Sequence, residues 1–378
     1  MRLLPRLLLF VLSSVLATAR DVTVYIGTFT NFNGKATGSH GIYTGHLDSE
    51  TGKLGSFTLA AEGANPSFLV FAPDHKHLYA TSEVATTDGR PTGAVYAFTV
   101  NAADGSLKLL NRASAGGPGP THIAIDPSGR AVMVANYDNG SIAALPVKPD
   151  GSLGDPATYI QHKGKSVDPK RQDHAYAHSV TFSRDGRFVF SDDLGTDKLY
   201  GYTIDVATCA VAPLDPVSLK PGSGPRHFAL HPDGRHAYVI SEMASTITTF
   251  DYNATQGSFT ETQTVTTLPP DFTGTNSGAE IVVHPSGKFV YGSNRGQDSI
   301  ALFKVDAPTG HLTFVEAIST QGKTPRNFGI DPSGRWLIAA NQNSDSLVVF
   351  RIDPATGRIT PTGSTAQLPA PVCVLFGN

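Results

Sequence analysis

The side chains in this chain that could do acid–base or anion chemistry are placed with a period. His178, Arg226, Glu242, Glu280, Arg295 and Arg326 each stand at one end of a short stretch that recurs along the sequence, such as PRHFALHPDGRHAYVISE at 225–242. Together they offer a base (His178, Glu242 or Glu280) and cations that hold a carboxylate or steady an oxyanion (Arg226, Arg295 and Arg326). Such a set suits activation of water, or proton transfer beside an activated carbonyl, with no protein nucleophile. It does not suit redox chemistry. No GxSxG elbow, HExxH helix, P-loop or GxGxxG occurs in the chain.

The elements that must position these groups follow from the repeat. The stretch recurs from Asn65, Pro120, Tyr176, Gly278 and Pro325, with its turn marked by His75, Gly129, Gly186, Gly234, Gly287 and Gly334, about fifty residues apart. Each copy reads as a short apolar strand, a Pro-Asp-Gly or Pro-Ser-Gly corner, a β-rich second strand, then a third that alternates polar and apolar. A weaker fourth follows, as at Gly257 to Thr266. His231 and His284, in the Asp position of the corner, read as turn caps. Four antiparallel strands repeated radially make a β-propeller blade. Pro371 to Phe376 looks like an inner strand without a partner. Asp21 to Gly27 and Gly41 to Leu47 look like second and third strands without an inner one. Joined, they complete a seventh blade and remove the exposed edges. The expected fold is therefore all-β: a seven-bladed β-propeller closed by a blade that the two ends share.

In a blade, the start of strand one and the end of strand two reach the same mouth of the central channel. Aligned within the chain, the first column reads Ser67-Phe68, Thr121-His122, His178-Ser179, Arg226-His227, Ala279-Glu280 and Arg326-Asn327. The second reads Ser82-Glu83, Asn136-Tyr137, Asp193-Leu194, Ser241-Glu242, Asn294-Arg295 and Asn341-Gln342. These columns vary where the turns and apolar positions do not, as a composite polar pocket would. Strand alternation points His227 away from Arg226, so one of the two is expected to be structural.

Composition limits the partners. The formal net charge is −3, two units more negative without Arg2 and Arg6, and no basic cluster suits nucleic acid or an anionic membrane. Arg2 and Arg6, the apolar run Leu7 to Leu16 and the small residues Ala17-Thr18-Ala19 form an expected signal peptide over 1–19, followed by one domain over 20–378. The apolar run is too short for a membrane span, so the mature protein is expected to be secreted or periplasmic. Of two cysteines, Cys209 and Cys373, both in strand-like stretches, buried free thiols are expected. Oligomeric state is open.

The most specific segments, YAHSVTFS at 176–183, PRHFALHPDGRHAYVISE at 225–242, AEIVVHPSGKFVYGSNRGQDSIALF at 279–303 and TPRNFGIDPSGRWLIAANQNSDSLVVF at 324–350, resemble one family. It is the lactonase family of seven-bladed propellers, which contains bacterial propeller-type 6-phosphogluconolactonase and fungal 3-carboxy-cis,cis-muconate lactonizing enzyme. The resemblance spans about 22 to 376 and implies a lactone-opening hydrolase. It implies His178, Arg226, Glu242 and Arg295 as the catalytic set, all within the two columns. His122, Asn136, Glu280, Asn294, Arg326 and Asn341 are the expected substrate-binding neighbours. A phosphorylated sugar lactone fits an exported protein poorly, so the substrate stays open. The loop Gln161 to Asp173, with Lys163, Lys165, Lys170 and Arg171, reads equally as an anion clamp or a solvated connection. No cofactor or resident metal is expected. Two rivals are a Ca²⁺-dependent lactonase, using oxygen ligands from Glu83, Asn136, Glu242, Asn294 and Asn341, and a non-enzymatic propeller that binds a partner or small ligand.

Overall fold

A computed structural model describes residues 21–377; the expected leader at 1–19 lies outside them. Seven antiparallel blades form a ring, with no α-helix among the described residues. Blade 1 is assembled from both ends of the chain. Its inner strand is Pro371–Phe376, followed outward by Asp21–Thr28, Gly41–Asp48 and Thr58–Glu62. Val24 pairs with Phe376 and Gly27 with Cys373, so the closure is a continuous ladder. The inner and second strands of the others are Leu69–Phe71 and His77–Ser82 (blade 2), Pro120–Ile125 and Ala131–Asn136 (blade 3), Thr181–Phe182 and Phe188–Asp193 (blade 4). They continue with Pro225–Leu230 and His236–Ser241 (blade 5), Ser277–Val283 and Phe289–Arg295 (blade 6), and Pro325–Ile330 and Trp336–Asn341 (blade 7). Blade 4 departs most from the repeat. Its inner strand is two residues long, and an extra strand, Val217–Ser218, pairs on its third.

The core is a ring rather than a centre. Seven apolar clusters lie between neighbouring blades, and each draws on both. One joins Tyr79 and Val95 of blade 2 to Val132 and Leu145 of blade 3, and another joins Val24 and Ile26 of blade 1 to Trp336 and Ile338 of blade 7. Burial of a large aliphatic or aromatic side chain contributes about 1.5–3 kcal/mol, so stability is spread round the ring and the channel is left to other residues.

Polar ties repeat between blades. The hydroxyls of Tyr25, Tyr79, Tyr238 and Tyr291 donate to the carbonyls of Gly105, Gly151, Gly310 and Gly357 in the next blade at 2.7–2.9 Å. Gly151 and Gly310 must be glycine twice over. Both have positive φ, and a Cβ would stand 2.2 Å from His77 or 2.5 Å from His236. His231 and His284 cap their corners as expected, accepting from Asp233 N and Ser286 N. Each also donates Nε2–H to the following blade's turn, at Gly287 O and Gly334 O. Cys209 and Cys373 are buried free thiols.

Candidate active site

The mouth is shaped by a recurring irregularity. In blades 3, 5, 6 and 7 the register slips at the start of the inner strand, between Pro120 and His122, Pro225 and His227, Gly278 and Ile281, and Pro325 and Asn327. Such a β-bulge sets two residues against one and re-aims their side chains. Alternation would send Arg226 and His227 to opposite faces. The bulge brings them together instead, with Arg226 Nη1 3.1 Å from His227 Nε2. His227 therefore joins the cluster, against the expectation from alternation.

Glu242, at the end of the second strand of blade 5, is the hub. Its Oε1 accepts from Arg171 at 2.5 Å; its Oε2 lies 3.1 Å from Arg226 Nε, 2.7 Å from Arg295 Nη2 and 4.0 Å from His178 Nε2. Burial alone would raise the Glu242 carboxyl, but Arg295, Arg226 and Arg171 outweigh it and hold it well below the usual range. A carboxylate so stabilised is a very poor base. Its chemistry is to hold three guanidiniums in place.

Arg226 is almost fully buried. Nη1 donates to Ala279 O at 2.7 Å, while Nη2 has no partner among the described residues. Burial and the neighbouring Arg295 and Arg326 push its pKa down to about 9. Its donation to His227 Nε2 fixes that ring as the Nδ1–H tautomer, which donates to Glu280 Oε1 at 3.0 Å. Glu280 also accepts from Ile281 N at 3.0 Å and Asn327 Nδ2 at 2.5 Å, and Asn327 Oδ1 accepts from Val374 N. Burial raises the Glu280 carboxyl to about 6. A single hydrogen-bonded chain thus runs from blade 1 through Asn327, Glu280, His227 and Arg226 to Glu242.

Three imidazoles meet beside this chain. The rings of His122 and His178 stand 5.0 and 5.2 Å from that of His227, and His122 packs on Phe68 at 3.9 Å. Burial, and then Arg226 and other neighbours, keeps His178 neutral; its Nδ1 is buried without a partner among the described residues. Burial and His227 do the same for His122. Arg326 differs from the other arginines. It is half-buried, 5.1 Å over the Phe29 ring, with no hydrogen bond or ion pair among the described residues.

His178, Arg226, Glu242 and Arg295 therefore converge, with Glu280, His122 and Arg326 close by. Asn136, Asn294 and Asn341 do not join them. Each is fully buried, and its amide donates to the carbonyl of Ala115, Thr267 or Thr320 at the outer end of the preceding blade and to the hydroxyl of Ser141, Ser299 or Ser346. One device thus recurs in three blades and ties each to the one before, so these amides are engaged away from the converging cluster. The mouth-facing column is the next residue: Glu83, Tyr137, Glu242 and Arg295. A Ca²⁺ cage from the five expected ligands does not form here, since three belong to this scaffold and Glu242 is taken up by guanidiniums. Among the described His, Cys, Asp and Glu side chains, those that could bring three ligand atoms together are His231, Asp233 and His236, in a turn outside this mouth.

Four further contributors lie outside the catalytic and substrate-binding sets expected from sequence. Arg171, from the 161–173 loop, reaches across to Glu242 and lies 3.4 Å from the Tyr137 hydroxyl. Tyr137 packs edge-on to His178 at 5.4 Å. Glu83 accepts from Ser67 Oγ at 2.5 Å. With His227 they complete the mouth. Asn and Ser at the same five-residue spacing in three blades signals the scaffold device, and leaves Glu83 and Tyr137 as the variable column.

Comparison with known proteins matches the chain to a family. Residues 23–376 match the family described as lactonase, 7-bladed beta-propeller. The chain is 39% identical over 352 residues to a 6-phosphogluconolactonase of Bacillus subtilis, covering 93% of this chain and 97% of that one. It is 32% identical over 324 residues to a 6-phosphogluconolactonase of Formosa agariphila, covering 82% and 86%. The solved structure of Pseudomonas aeruginosa periplasmic gluconolactonase superposes with a TM-score of 0.88 at 32% identity, over 95% of this chain and 99% of that one. The chain belongs to the seven-bladed β-propeller lactonase family.

Proposed function

We propose that this protein hydrolyses an anionic sugar-type lactone at the channel mouth, by attack of water on the ring carbonyl. The observation that carries this reading is the convergence of Arg171, Arg226, Arg295 and Arg326 around one mouth where, among the described residues, Glu242 alone ion-pairs with arginine. Positive charge held in a desolvated site is what an oxyanion and an anionic substituent both require. Arg226, with Nη2 uncommitted, and Arg295 steady the oxygen that becomes negative as water adds. Arg326 holds the phosphate or carboxylate of the substrate. Glu242 keeps the guanidiniums oriented, so nothing reorganises as charge develops. The relatives named 6-phosphogluconolactonase and gluconolactonase support this substrate class. The periplasmic location of the Pseudomonas protein supports export of this chain by its leader.

Glu242 and Glu280 are too fully committed to act as base, which leaves His178 and Glu83 at the mouth. Steady-state kinetics of Arg226→Ala on a reactive lactone tests the reading. Loss of one such donor costs about 10²–10³ in kcat; wild-type turnover in this variant contradicts the proposal.

A further inference from the structure

We infer that Glu83, at the end of the second strand of blade 2, is the base that takes the proton from the attacking water and later returns it to the leaving alkoxide. This inference rests on the lactone-hydrolysis reading above and names the group that reading leaves open.

A small cavity at the mouth is bounded by Ser67, Glu83, Arg226, His227, Arg326 and Asn327. Its lining can be sorted by what each group has left to give. Arg226 and Arg326 are cations. His227 spends one ring nitrogen on Glu280 and the other on Arg226, and Asn327 spends its amide on Glu280 and Val374 N. Ser67 is a neutral hydroxyl whose proton goes to Glu83 Oε2 at 2.5 Å. Glu83 Oε1 remains without a hydrogen-bond partner among the described residues, and no arginine comes within ion-pair distance of the carboxylate. Glu83 is thus the one base in the cavity with a lone pair to use, and Ser67 holds its other oxygen still.

His178 is the weaker alternative. It does not border this cavity, and burial together with four charged or titratable neighbours makes its imidazole reluctant to take a proton. The groups that act electrostatically on Glu83 are Arg326 and Arg226, which favour its anion, and Asp138, which opposes it. Desolvation outweighs the favourable contributions and raises the carboxyl above its usual range, which makes it a better base than an ordinary carboxylate.

The step balances as follows. A water oxygen bonds to the lactone carbonyl carbon while one water proton passes to Glu83 Oε1. The carbonyl oxygen becomes the oxyanion, facing Arg226. The tetrahedral adduct collapses, the ring C–O bond breaks, and the alkoxide takes the proton back from Glu83. The product is the open hydroxy acid, which ionises in solution.

The test is steady-state hydrolysis of a phosphorylated sugar lactone by wild type, Glu83→Gln, Glu83→Ala and Ser67→Ala, each checked for fold by thermal melt. The expectation is a fall in kcat of at least ~100-fold for Glu83→Gln with KM within threefold. Added formate is expected to restore part of the turnover of Glu83→Ala. Ser67→Ala removes a bond that favours the anion, so the acidic limb of its kcat/KM profile is expected to move to higher pH. If Glu83→Gln melts early, formate rescue and the Ser67→Ala limb decide the matter. A wild type that turns over while Glu83→Gln keeps more than a tenth of its kcat overturns Glu83 alone. The same holds if His178→Ala, and not Glu83→Ala, is rescued by exogenous base (imidazole or formate, respectively). A wild type inactive on every lactone ends the parent reading, and this inference with it.

Discussion

Replacing Glu242 by Gln keeps the side chain's shape and removes the charge that three guanidiniums share. Arg226 and Arg295 have side chains only 3% and 12% exposed, so they would be left as buried cations facing each other. Arg171 is 44% exposed, and water would screen it, so its pair adds little. Breaking a buried ion pair by removing one partner costs about 3–5 kcal/mol. Unfolding entropy of about 2.1 cal/mol/K per residue, over roughly 360 described residues, makes that a fall in Tm of about 4–7 °C. The pH dependence has a definite sign. The folded carboxyl is held below its unfolded value of about 4.3, so its contribution is complete above that pH and fades as pH falls towards the folded value. Scanning calorimetry of wild type and Glu242→Gln should therefore show a steady gap from pH 8 to 5 that narrows only in more acid solution. A gap under 1 °C at pH 7, or one that stays constant down to pH 3, would refute the reasoning.

Arg326→Ala should raise KM for a phosphorylated lactone by tenfold or more and leave a neutral lactone nearly unaffected; equal losses on both would remove its anion-binding role. Asn136→Ala should cost about 1–3 kcal/mol in denaturant titration, the penalty for stranding buried partners, while kcat of the folded protein stays within twofold. Cys209 and Cys373 are both buried, and burial lifts the Cys373 thiol to about 12. A thiol reagent should thus count none in the native protein and two in guanidinium, whereas fewer than two after unfolding would indicate a bond not seen here.

The blades were legible because what makes them is local. A Pro-Asp-Gly corner, an apolar run and an alternating strand each follow from the residues themselves, and their repetition left closure by Pro371–Phe376 on Asp21–Thr28 as the economical solution. The site was legible in part. Arg226, Glu242 and Arg295 could be placed because strand ends in a propeller share a mouth. His227 is separated from Arg226 by alternation only because alternation assumes an unbroken ladder, and the slip between Pro225 and His227 has no signature in a single copy. Arg171 could not be assigned because a loop's path is decided by what it lands on, here Glu242 and Tyr137. The asparagines were ambiguous for the opposite reason. A polar residue at a strand end looks the same whether it faces a ligand or ties its own blade to the one before.

The central claim is tested most directly by product formation from purified protein offered a phosphorylated sugar lactone and its neutral analogue, each with and without EDTA. The account predicts hydrolysis above the spontaneous rate, preference for the anionic lactone, and no loss in EDTA. No hydrolysis of either lactone, in protein shown to be folded, would contradict it.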